Sequence, residues 1–167
     1  LLILISITAF RLFILNFSPL ELSVDEAQYW DWSNDLQFGY FSKPPLIAWL
    51  ISFSTYIFDN SEFAIRFFSP IIHLLISLVL WNTCFKIYGN NSGKFAALIW
   101  ITLPLTGLGS FVISTDTPLL FFWSLSLLAL INIIERQNYF WCITLGILLA
   151  LGFLTKYAML YFIILLL

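Results

Sequence analysis

Apolar runs of about the length needed to cross a bilayer follow one another along this chain, separated by short polar stretches. A crossing helix takes roughly 20 predominantly apolar residues, with a range of about 17 to 25. Five segments come near that length: 1–17, 67–87, 95–113, 118–134 and 139–160, the last ending either near Leu154 or toward Leu160. Inside lipid the backbone has to satisfy its own hydrogen bonds, which leaves helices or closed barrels. These runs are continuous rather than alternating, which argues against a barrel. Charged residues are only 10% of the chain and hydrophobic residues 61%. A soluble domain carries about 25% charged residues and could not cover its surface with so few. The expected fold is all-α, a polytopic transmembrane helix bundle. The chain opens at Leu1 and stops inside the run 161–167, so residues 1–167 are expected to be the N-terminal part of a longer protein. Segment 1–17 has neither a basic n-region nor a small-residue cleavage site, unlike a signal peptide.

A net charge of −2 gives no reason to expect nucleic acid as a partner. Cys84 and Cys142 stand alone in apolar segments and read as small core hydrophobes. Arg11 interrupts the first segment, so it either snorkels or faces the interior. Pro104, Gly107 and Gly109 predict a kink with close helix contact in the third. His73 has no second ligand at metal spacing and reads as a packed or hydrogen-bonded core residue.

The longest polar interruption, 18–66, contains Asp25-Glu26-Ala27-Gln28-Tyr29-Trp30-Asp31-Trp32 and then Gly39-Tyr40-Phe41-Ser42-Lys43-Pro44-Pro45-Leu46. Ser23-Val24-Asp25-Glu26 fits a capping box that starts a short amphipathic helix running to about Leu36. Its Trp and Tyr residues suit the membrane interface. Segment 45–58 is too short to cross and suits a re-entrant or interfacial helix. If it does not cross, the loop 18–66, Asp116 and Lys156 all fall on one side of the membrane. Lysines and arginines divide equally between the two sides, so charge does not set the orientation.

Each polar residue has a structural reading beside a functional one. Glu26 completes a cap, and Asp25 suits the first turn of a helix, where the dipole favours negative charge. Lys43 is either a snorkelling cation or a cation held in place by Pro44-Pro45. Asp116 before Thr117-Pro118 is either a helix-start acid or a site acid. Lys156 is costly in an apolar run unless it meets a headgroup or an anion, and Arg66 reads as an interfacial anchor. Taken together, lysines and carboxylates at a membrane surface suit a substrate with a phosphate and a lipid tail. A carboxylate there could take a proton from an acceptor hydroxyl. The phosphate is already a good leaving group, so one base suffices for a single displacement that inverts the anomeric centre.

The same residues carry a resemblance. Residues 25–50, Thr115-Asp116-Thr117-Pro118-Leu119 and Gly152-Phe153-Leu154-Thr155-Lys156 resemble the GT-C class of polytopic glycosyltransferases. More narrowly, they are similar to bacterial members of the protein-mannosyltransferase-like superfamily, related to the lipid A aminoarabinose transferases. The chain departs from the latter at Gln28, where an arginine is usual, and at Ser42, where an acid is usual. The resemblance implies a multi-pass protein of the cytoplasmic (inner) membrane with its site facing outward. It implies a polyprenyl-phosphate sugar donor, a lipid, glycan or protein acceptor and surrounding membrane lipids, and it leaves a divalent metal open as a cofactor. By motif position, Asp25 and Asp116 would be catalytic, and Glu26, Tyr29, Lys43 and Lys156 would bind substrate. The competing expectations are a transporter or flippase of a lipid-linked solute, and a non-catalytic membrane scaffold.

Overall fold

A computed structural model of the chain describes residues 1–166, all helix, turn or loop, with no strand among them. The helices are α1 (Leu2–Asn16), α2 (Val24–Ser33), α3 (Leu46–Phe58), α4 (Glu62–Arg66), α5 (Phe68–Tyr88), α6 (Asn90–Thr102), α7 (Pro104–Gly109), α8 (Asp116–Arg136), α9 (Tyr139–Phe153) and α10 (Leu160–Ile164), with a 3₁₀ turn at Tyr157–Met159. Helices α4 and α5 follow one another as a single apolar stretch, Glu62–Tyr88, of 27 residues, and α8 has 21. Both are long and apolar enough to cross a membrane, whose hydrocarbon core is about 30 Å thick. The apolar helices α1, α3 and α9 are shorter.

Helix α5 is the hub, packing on α1, α6 and α8, while α8 also packs on α9. The α5–α6 approach is very close at Gly93, where a Cβ would lie 2.6 Å from the Trp81 carbonyl oxygen. Around that contact Leu4, Ala97 and Ile101 form one buried cluster. A second cluster, Leu119, Met159 and Phe162, lies beneath α8. A third joins the 18–66 region to the rest through Tyr29, Ile47, Ile51, Ile65 and Ile113.

The local signals act where they were expected to, with informative shifts. The capping box is formed: Ser23 Oγ accepts from the Glu26 N–H, and Glu26 Oε2 accepts from the Ser23 N–H. Helix α2 stops at Ser33 rather than near Leu36. The Tyr40 hydroxyl takes the Trp32 carbonyl at 2.9 Å and the Asn34 amide takes that of Trp30, so side chains occupy acceptors that a longer helix would use. Pro104 divides the third apolar run into α6 and α7, with Leu103 in the extended conformation that precedes a proline. Helix α8 begins at Asp116 with Thr115 as N-cap, and Pro118 falls within the first turn, where no intrahelical N–H bond is required. The fifth run breaks after Phe153. Cys142 is exposed rather than in a core, because α9 presents that face outward.

Candidate active site

Glu26 and Arg66 organise one end of the molecule. Serine caps place both: Ser23 starts α2, and Ser61 Oγ accepts from the Ala64 N–H at the start of α4. Arg66 Nε lies 2.8 Å from Glu26 Oε1, and Arg66 Nη2 lies 2.9 Å from Oε2, a bidentate pair. Arg66 also donates to the carbonyls of Leu20 and Glu21, each at 2.8 Å. The Glu26 carboxylate accepts in addition from the Ser23 and Ile113 N–H groups, both at 3.0 Å. Glu26 is 1% exposed and Arg66 2%. Burial pushes the Glu26 carboxyl upward, but the bonds from Arg66, Ser23 and Ile113 and the Arg66 charge outweigh it and hold it below the usual carboxylate value. The expected substrate contact of Glu26 is corrected here, since its oxygens are saturated by internal donors. Arg66 is corrected likewise, from interfacial anchor to buried partner. Arg66 is what the sequence reading missed, and no spacing signal links residues 40 apart.

The Glu26–Ile113 bond brings the loop 110–115 beside α2, and with it Tyr29 beside Thr115. Tyr29 is buried, and its phenol lies near the charges of Asp25 and Asp116. Burial, then the Asp25 charge, raise it above the usual phenol value, Asp116 adds to this, and a bond with the Thr115 hydroxyl works against it. Tyr29 therefore stays a protonated donor at neutral pH. Asp25 is exposed, with no ion-pair partner among the described residues.

The opposite wall forms where α9 ends. Thr155 Oγ1 and the Lys156 N–H both bond the Gly152 carbonyl, closing the last turn, and Lys156 then turns to an extended conformation. Its Nζ lies 2.6 Å from Asp116 Oδ1. The Leu46 N–H donates to the Leu154 carbonyl at 3.0 Å, which fastens the Lys43-Pro44-Pro45 stretch to the same corner. Lys43 is half-buried and makes no ion pair among the described residues. Tyr29 thus lies near Asp25 and Asp116, Lys156 pairs with Asp116, and the chain at Leu46, just after Lys43-Pro44-Pro45, is tied to Leu154 beside them. Among the described residues no three or more His, Cys, Asp or Glu side chains converge as a metal site would need.

Residues 42–167 match the family described as dolichyl-phosphate-mannose-protein mannosyltransferase. The chain belongs to that family. It is 41% identical over 162 residues to the lipid A galacturonosyltransferase RgtD of Rhizobium johnstonii, covering 96% of this chain and 34% of that protein. It is 28% identical over 145 residues to the undecaprenyl phosphate-alpha-4-amino-4-deoxy-L-arabinose arabinosyl transferase of Photorhabdus laumondii, covering 81% of this chain and 26% of that one. The chain therefore spans between a quarter and about a third of these relatives. No solved structure matches it. Membership agrees with the resemblance drawn from the motifs, and the match takes in Lys43, Asp116 and Lys156 but begins after Asp25.

Proposed function

We propose that the protein containing this chain is an inverting glycosyltransferase that moves a sugar from a polyprenyl phosphate to a hydroxyl of a lipid A-like acceptor. In this reading it is a multi-pass bundle of the cytoplasmic membrane, with α2 and α3 lying at the outer interface. Asp25 accepts the acceptor's hydroxyl proton. The freed oxygen attacks the anomeric carbon, the bond from that carbon to the phosphate oxygen breaks, and polyprenyl phosphate leaves with the electron pair. Lys43 and Lys156 hold the phosphate as point charges. Asp116 positions Lys156 until the phosphate arrives, and Tyr29 donates from its protonated phenol.

The observation that carries this reading is the corner where Asp116 Oδ1 meets Lys156 Nζ and the Leu46 N–H meets the Leu154 carbonyl. The direct Lys156–Asp116 pair, with the chain at Leu46 just after Lys43 tied to Leu154 beside it, supports this reading. The relatives named above, each a sugar transferase by name, support it. In vesicles holding the full-length protein, Asp25→Asn should abolish glycosidic product while donor binding survives, and product from the parent protein should have the inverted anomeric configuration. Undiminished transfer by Asp25→Asn would remove Asp25 as the base. Movement of a lipid-linked solute without any glycosidic product would point to a transporter instead.

A further inference from the structure

Beside Asp116 a cavity of about 350 Å³ opens between α5, α6, α7 and the start of α8. That volume is within the range of about 300–1,000 Å³ typical of small-molecule sites. One end of it is polar, at Ser114, Asp116 and Thr117, and its sides are apolar, at Leu103, Leu105 and Leu120. His73 from α5 and Trp100 from α6 line it as well.

His73 is 4% exposed, and neither ring nitrogen has a hydrogen-bond partner among the described residues. A charged ring here would be buried with no carboxylate paired to it among the described residues, which is costly, so the ring is neutral. A neutral imidazole has one nitrogen that donates and one that accepts. The Gly109 carbonyl beside the ring can serve only the donor, and it already takes the Ser69 hydroxyl at 2.8 Å. The accepting nitrogen needs an N–H or an O–H. Thr106, which also lines the cavity, turns its hydroxyl to the Trp100 and Leu103 carbonyls instead. The indole Nε1 of Trp100 is buried too, has no partner among the described residues and can only donate. The two rings lie 6.0 Å apart. A carboxylate would suit the indole but has no hydrogen for the accepting nitrogen. A hydroxyl serves both, because it donates to the imidazole and accepts from the indole.

We propose that this cavity receives the ring of the sugar being transferred, with one of its hydroxyls held between His73 and Trp100. The inference rests on the transfer reading above, in which Lys156 meets the donor phosphate. Lys156 Nζ is 2.6 Å from Asp116, which lines the polar end of the cavity. The sugar is bonded to that phosphate, so its ring stands at this end and a hydroxyl on the far side of the ring reaches toward His73. The leucine walls suit the C–H faces of a pyranose and keep out water that would compete for the two nitrogens. His73 and Trp100 then select the sugar, because one that lacks the hydroxyl leaves two buried nitrogens unpaired.

The test measures binding to the full-length protein in vesicles. The probes are polyprenyl phosphate alone, polyprenyl-phosphate glucose, galactose and mannose, and the 2-, 3- and 4-deoxy analogues of whichever of these binds tightest. The sugar should tighten binding over polyprenyl phosphate, and loss of one particular hydroxyl should weaken it roughly tenfold or more. His73→Phe, which keeps a ring and removes both nitrogens, should abolish that difference and leave binding of bare polyprenyl phosphate unchanged. His73→Gln, which can still donate and accept, should keep part of it, and Trp100→Phe should reduce it. Equal binding of all the deoxy analogues, as expected if a water alone sits on His73, overturns the proposal. So does a loss in His73→Phe that is the same for bare polyprenyl phosphate, or one confined to the KM of the acceptor. Hydroxyl-dependent binding through His73 with no glycosidic product from any of the three sugar donors would sink the transfer reading and keep the subsite. Normal transfer with no effect of His73→Phe on the deoxy series would do the reverse.

Discussion

The guanidinium of Arg66 and the carboxylate of Glu26 face each other through two bonds of 2.8 and 2.9 Å, from helices that are 40 residues apart in sequence. The pair is nearly saturated. The other bonds of the two charged groups go to backbone atoms of Leu20, Glu21, Ser23 and Ile113. It therefore fixes the position of α2 relative to α4 and to the loop ahead of α8, and so the position of Asp25 relative to Asp116. Charge is used here for registration: it sets where α2, α4 and the loop ahead of α8 sit relative to one another.

Removing one partner should cost far more than an exposed ion pair would. Arg66→Met leaves a buried carboxylate without its cation and frees two backbone carbonyls, so the unfolding free energy should fall by about 3–5 kcal/mol. Denaturant titration of the full-length protein in detergent would measure this. A loss below about 1 kcal/mol would show that the pair is dispensable.

The same carboxylate gives a pH signature. Its folded-state value is depressed below the ordinary 4.5, so the unfolded chain binds the proton more readily. Its stabilising contribution is then fully present above that value and is lost as the pH falls through the lower folded-state value. The stability difference between the parent and Glu26→Gln should be flat between about pH 5 and pH 8 and should shrink below about pH 4.5. A difference that shrinks on going from pH 5 to pH 8 would contradict the assignment.

The Asp116–Lys156 pair should behave in the opposite way. Both side chains are substantially exposed, and such pairs contribute only about 0–1 kcal/mol to stability. A contact from Lys156 to a donor phosphate would be worth about 1.5–3 kcal/mol, or roughly ten- to a hundredfold in kcat/KM. Lys156→Met is thus expected to unfold within about 1 kcal/mol of the parent while losing that much transfer activity. Equal activity in a sugar-transfer assay would remove Lys156 from the site.

Much of this was legible in the sequence because its determinants are local. Ser23 and Glu26 lie three residues apart and form the expected box. Pro104 breaks the helix through its own ring and missing N–H. The apolar runs set where α5 and α8 lie to within a few residues. What stayed hidden depends on distant pairing. Arg66 at the head of an apolar run has the same sequence signature whether it meets a headgroup or Glu26, and only the fold decides. The interior setting of Arg11 is one of two sequence readings, and only the packing of α1 on α6, which gives its guanidinium the Ile101 carbonyl, decides between them. Helix α2 ended early because of Tyr40, a residue outside the helix whose hydroxyl has no sequence rule attached to it.

Gly152 links packing to the site. A Cβ there would lie 2.8 Å from both Cγ and Sδ of Met159, and Met159 is fully buried against Leu119 and Phe162. Overfilling a core of this kind costs about 1–3 kcal/mol. Because the Gly152 carbonyl also anchors Thr155 Oγ1 and the Lys156 N–H, displacing this turn would swing Lys156 away from Asp116. Gly152→Ala should therefore lower both stability and transfer activity. Shortening the facing side chain in Gly152→Ala/Met159→Ala makes room for the added methyl, so the double variant should lose less than the sum of the two single losses. The expected coupling is at least about 0.5 kcal/mol, within the range for residues in contact. Strict additivity in a double-mutant cycle would show that the two residues do not compete for space.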